Sequence, residues 1–165
     1  MERTEPQLRV PGWVVAVSLT VCVIGLLDAA YLTFEHYTQS ATLACSETAT
    51  INCLKVTTSS YADVFGIPFA VLGLVFFVGM GLLCLPAAWR SPSRPLRMLR
   101  GAGAVVGVLV ALYLVWVELF RLDAICLYCT GVHVLTFVLF VVVALGSAAI
   151  VDATLASERE YDGST

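Results

Sequence analysis

The sequence predicts an all-α membrane protein, a bundle of four transmembrane helices with a long extracytoplasmic loop between the first two. Three observations carry that reading. Of 165 residues, 59% are hydrophobic and 13% charged, with a mean hydropathy of +0.92, whereas soluble domains run at about 25% charged. The apolar residues gather into four runs, each long enough for the ~20-residue helix that crosses a hydrocarbon core of about 30 Å. None of the runs alternates like a barrel strand, and a helix satisfies its own backbone hydrogen bonds in lipid. The length fits one domain, residues 1–165.

The first run, about 12–34, has Asp28 as its only charge. It exceeds the roughly 7–15 apolar residues of a secretory signal and no small-x-small cleavage pattern follows, so it is expected to remain as a mature span. The second, 67–89, is uncharged and opens near Pro68, which suits a first helical turn where the missing N–H does no harm. The third, 101–120, is interrupted late by Glu118, and its Gly103, Gly107 and Ala111 form a small-residue stripe for close helix contact. The fourth, 124–151, is uncharged apart from a charge on His133 when protonated. Residues 35–66 form the outward loop.

Basic residues orient the bundle. Of the nine Lys and Arg residues, Arg3, Arg9, Arg90, Arg94, Arg97, Arg100 and Arg159 fall on one side, and Lys55 and Arg121 on the other, seven against two. Cytoplasmic loops carry the excess of positive charge, so both termini are expected in the cytoplasm. Trp13 and Trp89 fall at the cytoplasmic boundary, as interfacial aromatics do. A net charge of −3 with no basic patch gives no footprint for nucleic acid, and none is expected as a partner.

The six cysteines divide by position. Cys22 and Cys84 fall in the cytoplasmic halves of their spans and read as inert, small hydrophobes. Cys45, Cys53, Cys126 and Cys129 map to the outer side, where disulfide chemistry is permitted. Cys126-Leu127-Tyr128-Cys129 is a C-x-x-C motif at the start of the fourth helix. Unpaired N–H groups and the helix dipole favour thiolate there, the form that attacks disulfides and can donate charge to a quinone ring. Cys45 and Cys53 leave alternatives open: a redox pair, a static disulfide that staples the loop, or part of a zinc site. Their spacing is wider than the C-x₂₋₄-C knuckles of structural zinc, and no metal is expected.

Four spans, a loop cysteine pair after the first and a C-x-x-C opening the fourth resemble the vitamin K epoxide reductase family, specifically its short bacterial homologues, over nearly the whole chain. Cys53-Leu54-Lys55-Val56 through Ser59, followed by Phe65-Gly66, is similar to the family's loop that caps the quinone pocket. The resemblance implies a four-helix bundle whose extracytoplasmic loop caps the active site. It implies a quinone-dependent thiol–disulfide oxidoreductase of the bacterial cytoplasmic (inner) membrane that supports disulfide bond formation. The electron acceptor would be menaquinone or ubiquinone, with no flavin. Thiols of a partner would attack the loop disulfide at Cys45, Cys53 would pass electrons to Cys126, and Cys129 would face the quinone. Longer members carry a fused thioredoxin-like domain. This chain ends shortly after Val151, so a separate DsbA-like or thioredoxin-like protein is expected as partner.

Quinone contacts are expected at Ser59, Phe65, His133 and Phe137, with Tyr61 in the lid and Phe69, Phe76 and Phe77 as candidates for the ring slot. In the animal enzymes a tyrosine stands four residues beyond the C-x-x-C, where this chain has His133. That departure bears on vitamin K epoxide as a substrate and leaves quinone reduction in place. Steps of three and four put Cys126, Cys129, His133, Phe137 and Phe140 on one helix face. Asp28, a costly carboxylate inside a span, shares a face with Tyr31 and Glu35 and lies about 10 Å inside the outer boundary, at the depth of His133. The two are expected to couple as a proton relay. The competing reading is a non-enzymatic tetraspan scaffold whose external cysteines form static disulfides.

Overall fold

The computed structural model describes residues 10–38, 45, 48 and 50–162. Its elements, in order, are α1 (Gly12–Thr38), α2 (Cys53–Thr57), β1 (Asp63–Val64), β2 (Ile67–Pro68), α3 (Phe69–Leu83), α4 (Pro86–Arg90), α5 (Arg94–Val117), a π-helical turn (Glu118–Leu122) and α6 (Leu127–Asp162). Three helical segments are long and apolar enough to cross a membrane: Gly12–Thr38, Arg94–Leu122 and Leu127–Asp152. Helix α3 is apolar but has 15 residues, about 22 Å at 1.5 Å each.

The run expected as one span over 67–89 is therefore broken at both ends. At its start, Ile67 and Pro68 pair with Val64 and Asp63 in a two-stranded hairpin, and Pro68 stands as the residue before the helix rather than within its first turn. At its end, Pro86 stops α3. The ring of a proline pushes the preceding residue out of the helical region, and Leu85 sits at φ −58°, ψ 148°.

Helix α1 packs on α3 and α6, and α5 packs on the same two, closing a four-membered bundle. The side chains that fill it are Val14, Val21, Cys22 and Ala29 from α1, Phe77 and Met80 from α3, Ala104 from α5, and Leu139, Val142, Val143 and Ile150 from α6. The small-residue stripe of α5 is a contact surface. A side chain at Gly107 would run into the Phe76 ring and the methyl of Thr136, and Ala111 is buried beside it. The opposite face of α5, with Val105, Val106, Leu109, Leu112, Tyr113 and Trp116 exposed, is the surface a lipid-facing helix presents.

Trp89 and Arg100 depart from expectation. Trp89 is 0% exposed, so it is a core residue rather than an interfacial one, and its indole lies near the Ser18 hydroxyl (Nε1 to Oγ 3.4 Å). Arg100, counted from sequence among the loop cations, is equally buried. Helix α5 begins seven residues earlier than its apolar run, which carries Arg100 onto the inner face. Its guanidinium carbon lies 3.4 Å over the Trp89 ring, and Nη1 donates to the Leu83 carbonyl at 3.2 Å, capping the end of α3. Cys22 and Cys84 meet beside them, with their side chains hydrogen-bonded to each other.

Candidate active site

Two remote segments are tied together by backbone. Asn52 donates its N–H to the Ile125 carbonyl (3.1 Å) and Ile125 donates to Thr50 (2.9 Å), a short parallel bridge centred on Ile51 and Ile125. The residues that follow on each strand of the bridge are Asn52-Cys53 and Cys126. Asn52 caps α2, its Oδ1 accepting from Lys55 N at 2.8 Å, and so fixes Cys53 as the first residue of that helix. Cys53 is disulfide-bonded to Cys45, with Cα atoms 6.2 Å apart. Cys126 and Cys129 are free thiols.

Cys53 and Cys126 are both fully buried, in a cluster with Leu32, Val56 and Ala124 against which Cys45 and Cys129 also pack. Cys126 occupies the cap position of α6, and its sulfur accepts the backbone N–H of Cys129 at 3.3 Å. Thr130 seals the same turn, donating from both N and Oγ1 to the Cys126 carbonyl at 2.9 Å. The Cys129 thiol and this N–H, both donating to the Cys126 sulfur, hold its pKa below that of an ordinary thiol, against the opposing effect of burial. The chain reaches this cap through the π-helical turn, whose end is Asp123 in the left-handed region (φ 45°). Single π turns inside α-helices gather at functional sites.

Beside the cysteines lies a mostly apolar cavity of about 720 Å³, counting its open mouth. Every element of the bundle contributes: Ala29, Leu32 and His36 from α1; Val56, Thr57, Ser59 and Tyr61 from α2 and the loop; Phe69, Ala70 and Gly73 from α3; Leu114, Val117, Glu118 and Leu122 from α5 and the π turn; Cys129, Val132 and His133 from α6.

Of the residues singled out from sequence, Cys129, Ser59, His133, Tyr61 and Phe69 line this cavity, and Phe65, Phe137, Asp28, Phe76 and Phe77 stand outside it. Phe65 is fully exposed at the tip of the β1–β2 hairpin, where positive φ at Phe65 (52°) and Gly66 (78°) turns the chain outward. Phe137 is exposed because a straight helix rotates it about 80° from Cys129 over eight residues. Phe76 and Phe77 fill the core against Gly107 and Gly25. Asp28 lies against the α6 backbone, where a side chain at Gly131 would meet its Oδ2 at 2.8 Å. Asp28 Oδ1 and His133 Nδ1 each lack a hydrogen-bond partner, so no bond joins those two atoms.

Glu118 and His36 were not expected at the site, and Thr57, read from sequence as an ordinary loop or cap residue, lines the cavity as well. A carboxylate late in an apolar span was itself a signal, because ionisable groups in that setting usually face the interior and serve function. Among the described residues no group of three or more His, Cys, Asp or Glu side chains is placed to hold a metal. A sequence model described as the vitamin K epoxide reductase family matches residues 16–144, a span that holds the disulfide, the C-x-x-C pair and the whole cavity wall.

Proposed function

The chain belongs to the vitamin K epoxide reductase family, and on that premise we propose that it is a quinone-dependent thiol oxidase of the bacterial cytoplasmic membrane. Membership suggests a membrane thiol–disulfide oxidoreductase, and a disulfide with two thiols nearby fits that chemistry. One observation carries the finer reading: both cysteine pairs share a cluster at the wall of an apolar cavity. In this reading 67–89 is the second of four spans, both termini are cytoplasmic, and the loop and cavity face outward.

The residues present fit a quinone: apolar walls, a thiol at Cys129 and a buried imidazole at His133 whose Nδ1 is free to bond. The acceptor in this reading is menaquinone or ubiquinone. The quinone supplies the capacity to take up two electrons and two protons. The rest is done by the chain. Cys45 is the less buried half of the loop disulfide, so a thiolate of a DsbA-like or thioredoxin-like partner attacks there, and the Cys53 sulfur leaves. When the partner's second thiol closes its own disulfide, two electrons have passed to the loop pair. In the oxidised form of the second pair, Cys53 then attacks Cys126 of a Cys126–Cys129 disulfide and releases Cys129. Cys45 closes on Cys53 to release Cys126, which the cap of α6 makes a good leaving thiolate. The electron pair comes to rest on Cys126 and Cys129. His133 and Ser59 orient the ring against Cys129.

Purified protein with a reduced DsbA-like protein and a quinone, followed by quinone absorbance and thiol trapping, tests this. Turnover should be quinone-dependent, with both pairs cycling between free and bonded. Disulfides that ignore the quinone supply would instead mark a static scaffold and end the proposal.

A further inference from the structure

Glu118 opens the π-helical turn and is 5% exposed. Its carboxyl accepts the backbone N–H of Cys126, and the same side chain lines the cavity together with Cys129 and His133. It therefore touches both the cap cysteine and the space next to the second thiol. The remaining proton-exchanging group buried in that wall is His133. His36 lies 4.0 Å from Asp63, and Asp28 is packed against Gly131, outside the cavity lining though within electrostatic reach of Cys129. A hydrogen-bond acceptor alone would be met by a neutral amide. A carboxylate in a dry, apolar wall is a costly choice unless it moves a proton.

We infer that Glu118 is the proton-transfer residue of the Cys126–Cys129 pair, an inference that rests on the thiol-oxidase reading above. Oxidising the pair forms one S–S bond and breaks two S–H bonds. Two electrons and two protons leave, and the quinone that accepts them becomes the quinol. The Glu118 carboxylate takes one thiol proton as the S–S bond closes and returns it to a ring oxygen. The second proton passes through the His133 imidazole to the other oxygen. The cycle leaves both side chains in their starting protonation states.

Glu118→Gln separates proton transfer from positioning, because glutamine still accepts the Cys126 N–H but carries no proton. With full-length protein in detergent, dithiothreitol as donor and a short-tailed ubiquinone as acceptor, both Glu118→Gln and Glu118→Ala should lower kcat ~100-fold or more, the usual loss for a general acid–base. Ubiquinone affinity should stay within about threefold, as for a residue that acts on the reaction rather than on ground-state binding. Glu118→Asp should recover part of the rate. A readout without quinone comes from infrared difference spectra of the protein before and after reduction by dithiothreitol. The carboxylate stretching bands of Glu118 should shift on reduction, as the neighbouring pair changes from a disulfide to two thiols, and the shift should be missing from Glu118→Gln. An active wild type alongside a Glu118→Gln variant with unchanged kcat, or a difference band that survives in Glu118→Gln, overturns the inference alone. A wild type that passes no electrons to ubiquinone overturns the thiol-oxidase reading, and this inference with it.

Discussion

The bundle holds two sets of cysteines, one at each end, and their surroundings could hardly differ more. Cys126 and Cys129 sit at a helix N-terminus, beside a disulfide and against an open cavity. Cys22 and Cys84 also touch each other, but they are sealed among Val21, Met80 and Trp89 in the core. Proximity of two sulfurs is common to both ends. What separates them is access, because Arg100 lies beside the sealed pair as well. Thiol chemistry needs thiolate and a route in, and only the first site offers both.

The sharpest way to break this contrast is to remove a sulfur from each end. Cys126→Ser and Cys129→Ser should each abolish quinone-linked turnover. Cys126→Ser should also accumulate mixed disulfides with the partner on a non-reducing gel. Cys22→Ala and Cys84→Ala should keep turnover, and in the folded wild type both thiols should resist a maleimide until the protein is unfolded. A fully active Cys126→Ser, or a Cys22→Ala variant that cannot turn over, would erase the distinction.

Packing supplies the next effect. Trp89 carries Arg100 over its ring and fills the inner core, so Trp89→Ala should destabilise by about 3–5 kcal/mol, the usual cost of truncating a buried large aromatic. Thermal unfolding in detergent measures it. The same variant should spare the intrinsic reactivity of Cys126, because the cap and the cavity lie at the other end.

A smaller effect concerns pH. The Cys126 pKa is lowered, so its thiolate persists as pH falls below the ordinary thiol value of about 8.5. In reduced protein, alkylation of Cys126 should therefore show a midpoint below that value. A midpoint at or above it would mean that burial outweighs the hydrogen bonds to the sulfur. Smallest of all should be Asp28→Asn. Because Asp28 stands behind Gly131 rather than in the cavity wall, turnover and quinone affinity should change little. A large loss would support the proton relay expected from sequence.

Much of this was legible before any fold was known. Lipid imposes length and hydrophobicity on every span, so the runs holding α1, α5 and α6 stood out, and the cysteine spacing marked the site. Arg100 was misread because composition places an arginine in a loop, whereas its burial depends on Trp89 and the Leu83 carbonyl, both supplied by other segments. The break at Pro86 and the hairpin at 63–68 shorten α3 for local reasons that an apolar run conceals. Phe137 was assigned by steps of three and four, a pattern that drifts around a straight helix. Glu118 went unassigned because its role depends on the π turn that aims it at Cys126, and such a turn leaves no pattern in hydropathy.

The parallel bridge between Ile51 and Ile125 has a kinetic consequence. A loop tethered only at its ends would have to search for its target, whereas two peptide hydrogen bonds beside Cys53 and Cys126 hold the reacting atoms at high effective molarity. Within the proposed relay, transfer between the pairs becomes a local rearrangement, and throughput is then governed by how often a partner docks or a quinol departs.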